Sequence, residues 1–186
     1  MSFNYDFWSW NIPQLTIDEI KEVNKQVNQQ YVKVEDLDDG AKNDDGTYRK
    51  NIKPKQVLVG DLTAPVHNVI EKAMRTCHFE FGYLTFPVNK YDVALHNVYS
   101  SDIKGHYGAH TDASMSDIFE TKMTLLINLS EGDYEGGEFS CNQKEADFRE
   151  PGTVLLFKSH LLHEVKPVTK GTRISLAYFI NGPKSN

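Results

Sequence analysis

The chain has 186 residues, which is enough for a single domain whose core needs no disulfide or metal ion to fold. Hydrophobic residues make up 39% of it and charged residues 25%, a composition that excludes general disorder. The formal net charge of −6 argues against nucleic acid as the main partner, because nucleic-acid-binding proteins usually carry basic surfaces. Its two cysteines, Cys77 and Cys141, exclude a disulfide scaffold and a cysteine-rich zinc module.

The sequence also bears on the compartment and on membranes. Its N-terminus has no basic segment followed by a long apolar segment, so it does not resemble a signal peptide. No apolar run approaches the length of about 18 residues that a membrane-spanning helix needs. We therefore expect a cytoplasmic protein with no membrane partner. The sequence leaves the oligomeric state open.

The N-terminal region, residues 1–86, is predicted to form helical support and loops. Thr16 and Glu19 make a capping box, which predicts a helix from this point to about Gln30. Apolar residues then recur at spacings of three and four, as one buried stripe requires. The stripe consists of Ile20, Val23 and Val27.

A second helix is predicted to begin between Leu62 and Pro65, because Asp61 or Thr63 can cap it and proline suits a first turn. Its apolar face consists of Val66, Val69, Ile70 and Ala73. Both helices are expected to pack on one face of a β-rich unit, so residues 1–186 are predicted to form one domain.

Two parts of the N-terminal region allow more than one interpretation. The aromatic residues Phe3, Phe7, Trp8 and Trp10 either pin the terminus onto the domain or make an oligomer contact. Residues 31–60 are either a lid over a pocket or a disordered connection. Within them, residues 36–46 are rich in Asp but lack the order of a calcium-binding loop, so we expect a solvated loop there.

From residue 87 to residue 183 the pattern changes to a period of two, which is typical of strands. The predicted strands cover residues 93–99, 123–129, 137–141, 152–157, 163–168 and 173–180. The breaks between them carry Gly, Pro, Asp and Ser. Short strands without intervening helices predict an antiparallel sandwich or barrel, so the fold class is mainly β with supporting N-terminal helices.

His110 and Asp112 suggest a metal site. Residues two apart in an extended segment project from the same face, so this imidazole and this carboxylate can bind one cation. His163, which follows an apolar strand, is the best third ligand, and His160 is its rival. Two histidines and one carboxylate on one face of an octahedron are typical of non-haem Fe(II) oxygenases. A structural zinc site would normally have another His or Cys as its fourth ligand. A loop position is the simpler interpretation of His106.

Arg173 strengthens this interpretation. It lies between Gly171 and a nearly continuous apolar run, which favours an inward position over a surface ion pair. Ser175 shares its face of the strand. A guanidinium offers parallel donors to a carboxylate and the hydroxyl adds another. The pair could therefore hold the distal carboxylate of a dicarboxylic co-substrate that chelates the metal.

These motifs resemble a known family. Segments 107–112, 125–139 and 150–183 look like the Fe(II)/2-oxoglutarate dioxygenases of the prolyl 4-hydroxylase superfamily, and the resemblance covers about half of the chain. Within that superfamily the run from His163 to Arg173 is most similar to the PKHD-type hydroxylases of bacteria and phages. The resemblance implies a double-stranded β-helix, or jelly roll, for residues 87–183.

The resemblance also implies ligands and roles. Fe(II) would be held by His110, Asp112 and His163. The co-substrate would be 2-oxoglutarate, with Arg173 on its distal carboxylate and Ser175 assisting. Molecular oxygen would be the oxidant, and ascorbate the reductant that keeps the iron reduced.

Further positions are matched more loosely. Tyr99 stands where the family often has a tyrosine that reaches the co-substrate, and Tyr107 matches a tyrosine that lines the pocket. Asn128 is either a polar co-substrate contact or a strand-edge amide. Phe179 replaces a tryptophan found in many members, which keeps an aromatic wall but removes an N–H donor.

The resemblance therefore implies an enzyme, a 2-oxoglutarate-dependent dioxygenase similar to procollagen-proline 4-dioxygenases. It would hydroxylate a C–H bond, best matched to a prolyl residue in a protein or peptide, and release succinate and CO₂. One alternative is the same chemistry on a free amino acid, another small molecule or a nucleobase. Another is a non-catalytic, metal-binding jelly-roll module, although such a module has no use for a carboxylate clamp.

Overall fold

A computed structural model describes residues 7–10, 14–29, 45–47, 49–114, 116 and 118–185. The helices are α1 (Ile17–Gln29) and α2 (Ala64–Phe79), and single 3-10 turns cover Val59–Asp61 and Ser101–Ile103. The first seven strands are β1 (Phe7–Trp10), β2 (Lys50–Asn51), β3 (Lys53–Leu58), β4 (Val93–Ser100), β5 (His106–His110), β6 (Glu120–Asn128) and β7 (Glu135–Gly136). The others are β8 (Phe139–Cys141), β9 (Lys144–Ala146), β10 (Val154–Lys158), β11 (His163–Val165), β12 (Val168–Lys170) and β13 (Thr172–Gly182).

Two antiparallel sheets form the jelly roll that the resemblance implies. The major sheet has the strand order β1-β10-β6-β13-β4-β3, and the minor sheet has the order β2-β5-β11-β8-β9. A third, two-stranded sheet consists of β12 and β7. Because consecutive residues of a strand face opposite sides, β13 sends Arg173, Ser175 and Ala177 toward the minor sheet and Leu176 and Tyr178 toward the helices.

The helices pack on the outer face of the major sheet, as predicted. Thr16 and Glu19 form the reciprocal hydrogen bonds of a capping box, with 2.7 Å from Thr16 N to Glu19 Oε2 and 3.3 Å from Glu19 N to Thr16 Oγ1. The predicted apolar stripes of both helices are buried in one core with the outer side chains of β6, β10 and β13. A second core fills the space between the two sheets and surrounds the cavity described below.

The structure of residues 31–60, between the two helices, differs in part from the prediction. Residues 30–44 and residue 48 lie outside the described residues, whereas residues 50–58 supply β2 and β3 and are not a disordered connection. The sequence pattern hides this because Pro54 stands inside β3. A proline is compatible with β3 because this strand lies at the edge of the major sheet. Lys50, Ile52 and Pro54 of residues 50–58 line the cavity described below.

The N-terminal aromatic residues are described only in part. The backbone of β1 pairs with β10, with Phe7 opposite Phe157 and Trp10 opposite Val154, so this segment extends the major sheet. The side chains of β1, and Phe3 as a whole, lie outside the described residues. In the described ranges no helix combines the length and the apolar character needed to cross a membrane.

Candidate active site

Three side chains meet at the cavity between the sheets. His110 is the last residue of β5, Asp112 follows two residues later, and His163 opens β11. The backbones of β5 and β11 pair with His163 opposite His110, which brings the distant histidine to the H-x-D motif. Their candidate ligand atoms all lie within 4.8 Å of one another. This group, called the metal cluster below, could hold one metal ion.

Both imidazoles of the metal cluster are fixed from behind. His110 Nδ1 donates to the carbonyl of Gly108 at 2.8 Å, and His163 Nδ1 donates to the carbonyl of Leu161 at 3.0 Å. These bonds place the proton on Nδ1 and leave each Nε2 with a lone pair for a metal. The ring of Tyr107 stacks on the ring of His110 with 3.7 Å between their centroids.

The carboxylate of Asp112 has its own support. Thr124 Oγ1 donates to Asp112 Oδ2 at 2.8 Å and lies 3.0 Å from Ser159 Oγ. The backbone N–H of Asp112 donates to the carbonyl of Ser159 at 2.9 Å. Burial raises the pKa of Asp112, but its interactions with the imidazoles of His110 and His163, whose Nε2 atoms lie 3.5 Å and 3.2 Å from its oxygens, outweigh burial and hold the pKa well below its usual range. The carboxylate is therefore charged at neutral pH, as a metal ligand must be.

The floor of the same cavity contains a buried arginine. Arg173 is 0% exposed, and its guanidinium carbon lies 4.8 Å from the ring centroid of Tyr99 and 5.0 Å from that of Phe148. Its Nη1 donates to Ser175 Oγ at 3.4 Å. Within the described part of the chain, Nε and Nη2 have no hydrogen-bond partner. A buried cation with two unused donors in a planar fork is suited to an absent carboxylate.

The cavity joins the metal cluster to Arg173 and encloses about 110 Å³. Of the residues predicted for the site, it is lined by His110, Asp112, His163, Arg173, Ser175, Tyr99, Tyr107 and Phe179. The donor set of the metal cluster suits non-haem Fe(II), and the unpaired guanidinium N–H groups suit the anionic end of 2-oxoglutarate. Burial raises the pKa of Tyr99, and the nearby Arg173 partly offsets this effect.

Two predicted candidates are placed elsewhere. Asn128 does not line the cavity, since its amide nitrogen is within hydrogen-bond distance of the carbonyls of residues 148–150, at 2.7 to 3.2 Å. It is a structural amide that holds the loop from which Phe148 contacts Arg173. His160 is exposed and outside the metal cluster, so the rival ligand is not brought to the site. The Nδ1 atom of His106 donates to the carbonyl of Lys104 at 2.8 Å, and His106 is not part of the metal cluster.

Other residues of the site escaped the sequence analysis. Thr124 was placed in a strand but not recognised as the hydrogen-bond donor to Asp112. Gly137 was placed only at the start of a predicted strand, yet its φ is +66° and an added Cβ would lie 3.1 Å from Cδ of Arg173. Asn97 shares the inward face of β4 with Tyr99 and lines the cavity. The period-two pattern could have identified Asn97, whereas the role of Gly137 needs the tertiary contact.

A jelly roll with two histidines and an aspartate facing a buried arginine defines a class of metal-dependent oxygenases. Comparison with known proteins makes this specific, because residues 94–181 match the family described as the 2OG-Fe(II) oxygenase superfamily. This match covers just under half of the chain, and over that region the chain is similar to this superfamily.

The sequence is similar to curated relatives over a limited length. A PKHD-type hydroxylase of Sphingopyxis alaskensis is 39% identical over 83 residues, which cover 40% of this chain and 38% of that protein. A PKHD-type hydroxylase of Crocosphaera subtropica is 33% identical over 85 residues, with coverage of 42% and 38%. The matches therefore span well under half of the length of these relatives.

The fold is similar to that of solved structures over nearly the whole chain. The viral collagen prolyl hydroxylase of Paramecium bursaria Chlorella virus-1, in a complex with 2OG, aligns with a TM-score of 0.70 and 15% identity over 96% of this chain and 97% of that chain. A Pseudomonas putida prolyl-4-hydroxylase aligns with a TM-score of 0.70 and 14% identity over 97% and 95% of the two chains. At these identities the similarity shows the fold.

Proposed function

We propose that this protein is an Fe(II)- and 2-oxoglutarate-dependent hydroxylase whose substrate is a prolyl residue in a protein or peptide. The observation that carries the proposal is the pairing of a metal cluster with a buried arginine in one cavity, where two guanidinium nitrogens, Nε and Nη2, lack a partner among the described residues. A site for a metal alone would not need a buried cation, because burying an unpaired charge is costly.

Each group of residues has a role in this proposal. His110, Asp112 and His163 hold Fe(II) on one face and leave three positions open. Arg173 binds the distal carboxylate of 2-oxoglutarate, and Ser175, Tyr99 and Tyr107 line the same cavity. Iron, 2-oxoglutarate and O₂ supply an oxidant strong enough to cleave a C–H bond. The protein orients the co-substrate and keeps the cavity shielded from water.

The prolyl substrate rests on two supports. The first is fold similarity to proteins described as prolyl hydroxylases, which is an analogy at the level of the fold. The second is the apolar character of the cavity wall, which includes Ile52, Pro54, Leu95 and Phe179. A pyrrolidine ring is a compact apolar group that suits such a wall.

Turnover assays test the proposal. The full chain is incubated with Fe(II), ascorbate, O₂ and 2-oxoglutarate, first alone and then with proline-rich peptides, free amino acids or oligonucleotides. We expect slow succinate formation without a substrate, and faster formation with a gain of one oxygen atom in a proline-containing peptide. The Asp112→Ala variant is the inactive control. Oxygen gain on another substrate would overturn the prolyl assignment, and absence of succinate under all conditions would favour a non-catalytic module.

A further inference from the structure

Lys50 brings a second basic side chain to the cavity. It is the first residue of β2, is half-buried, and lines the cavity together with Ile52 and Pro54. Its Nζ lies 5.9 Å from the centre of the Tyr107 ring, and the same ring stacks on the ring of His110 at 3.7 Å. A lysine ammonium group over an aromatic face is attracted to it. The ammonium group and a metal ligand therefore share one aromatic neighbour.

The charges that line the cavity do not balance without a further anion. Apart from the two histidines of the metal cluster, the charged residues of its lining are Lys50, Asp112 and Arg173. Asp112 and Arg173 are opposite in sign, and the two carboxylates of 2-oxoglutarate offset the two positive charges of Fe(II) in the proposed complex. Lys50 then adds one positive charge to the groups around the cavity. Such a field favours a substrate that carries a negative charge.

The chain around Lys50 is basic as well. Residues 46–60 contain Arg49, Lys50, Lys53 and Lys55 and no Asp or Glu, although the whole chain has a net charge of −6. This segment supplies β2 and β3, which lie at the edges of the minor and the major sheet among the described strands. An extended peptide can lie along such an edge, and an acidic peptide would be attracted to this one by its charge.

We propose that Lys50 selects the substrate by binding the carboxylate of an Asp or Glu that lies within two residues of the target proline in a peptide. This inference rests on the proposed function and adds the charge of the sequence around the proline. Two residues of an extended peptide span about 7 Å, a length comparable with the distances that join Lys50 to Tyr107 and Tyr107 to His110. Nucleic acid is another polyanion, but the narrow, mostly apolar cavity and the net charge of −6 favour a peptide.

Binding of matched peptides tests the proposal. The full chain is loaded with Co(II) and 2-oxoglutarate, so that no turnover interferes, and is titrated with fluorescently labelled proline peptides. Each peptide carries one Glu, one or two residues before or after the proline, and has a counterpart with Gln at that position. At one position at least, the Glu peptide should bind about fivefold more tightly, as expected of a partly exposed ion pair. High salt should reduce this preference.

Variants of Lys50 assign the preference to one side chain. In Lys50→Met, the Glu and Gln peptides should bind equally. In Lys50→Glu, the preference should pass to a peptide with Lys at the same position, and this reversal also shows that the variant is folded. The matched control is Lys55→Glu. Lys55 lies opposite His96, donates from Nζ to Asn28 Oδ1 at 2.6 Å and does not line the cavity, so this variant should keep the wild-type preference.

The outcomes separate the role of Lys50 from the proposed function. Equal binding of Glu and Gln peptides at every position, or a preference for Glu that survives in Lys50→Met, would overturn the role of Lys50. Binding of an oligonucleotide that is tighter than that of any peptide and is lost in Lys50→Met would overturn it in favour of nucleic acid. Absence of all peptide binding would overturn both proposals. A Glu preference in binding, with no oxygen gain by any peptide when Fe(II) and O₂ are supplied, would overturn the proposed function alone.

Discussion

The two ends of the cavity differ in how their polar atoms are satisfied. At the metal cluster, both Nδ1 atoms and the carboxylate of Asp112 have hydrogen-bond partners in the protein. At the floor, the Nε and Nη2 atoms of Arg173 have none among the described residues. The metal end is therefore held in place before any ion arrives, whereas the floor is completed by its ligand.

This difference has a thermodynamic consequence. A ligand that satisfies buried, unpaired groups stabilises the folded state as it binds, since it binds the native protein and not the unfolded chain. The floor should therefore contribute little to stability until 2-oxoglutarate occupies it. Substitutions at the two ends should accordingly have separable effects, with the metal affinity controlled at one end and the co-substrate affinity at the other.

The largest expected effect is at the metal end. The His163→Ala variant removes a metal ligand and should weaken Co(II) or Mn(II) binding by at least about a hundredfold, more than the loss of an outer hydrogen bond would. The matched control is His160→Ala, which removes an exposed histidine three residues away and should bind metal as the wild type does. Calorimetric titration with metal measures both. If His160→Ala lost metal binding and His163→Ala did not, His160 and not His163 would be the metal ligand.

The next effect is at the floor. Arg173→Met keeps a long side chain between the rings of Tyr99 and Phe148 and removes the charge. We expect the Kd for 2-oxoglutarate to rise about thirtyfold or more, while the Kd for the metal does not change. Arg149→Met removes an arginine that pairs with Glu138 near the surface and serves as the control. A weakened metal affinity in Arg173→Met would mean that the two ends are not separable.

The metal end could be predicted from the sequence to a greater extent than the floor. His110 and Asp112 are close in the chain, and the period of a strand is enough to put them on one face. His163 was chosen from its place after an apolar strand, and the pairing of β5 with β11 brings it there. These sequence patterns are local and leave few alternative residues as metal ligands.

The floor depends on contacts that no local pattern encodes. Phe148 contacts Arg173 from a loop that Asn128 holds by hydrogen bonds, and the arginine side chain passes close to the backbone of Gly137. Asn128 was a possible co-substrate contact on sequence grounds, but its amide points to the loop and not to the cavity. β3 was missed for a similar reason, since its proline is acceptable only at a sheet edge.

A third region shows that a buried, unpaired atom does not always mark a ligand site. His96 faces α1, its Nε2 bonds Asn24 Oδ1 at 2.8 Å, and its Nδ1 is buried without a partner in the described ranges. Burial, and then Lys55, lower the pKa of His96 from 6.5 to about 4. Because the folded pKa lies below the unfolded one, the unfolded chain takes up a proton first as the pH falls. Stability is therefore lost between pH 6.5 and pH 4.

We expect this single histidine to cost about 2 kcal/mol of unfolding free energy between pH 7 and pH 5. His96→Gln cannot be protonated and should lose that much less stability over the same range in urea unfolding. His78→Gln, at an exposed position, should keep the wild-type pH dependence. The Kd for 2-oxoglutarate should be unchanged in His96→Gln, because His96 does not line the cavity. An equal acid sensitivity in His96→Gln would show that other groups cause it.

The smallest effect expected is on the support of the metal end. Thr124→Val keeps the shape of the side chain and removes the hydrogen bond to Asp112 Oδ2. We expect metal affinity to fall about tenfold, at the lower end of what outer hydrogen bonds to metal ligands contribute, and the Kd for 2-oxoglutarate at saturating metal to stay near the wild-type value. Thr121→Val is the matched control, since that hydroxyl bonds Asn181 on the same sheet and contacts no metal ligand. Unchanged metal affinity in Thr124→Val would mean that Ser159 and the backbone alone orient the carboxylate, so the metal end would be less dependent on its hydrogen-bond partners than its geometry indicates.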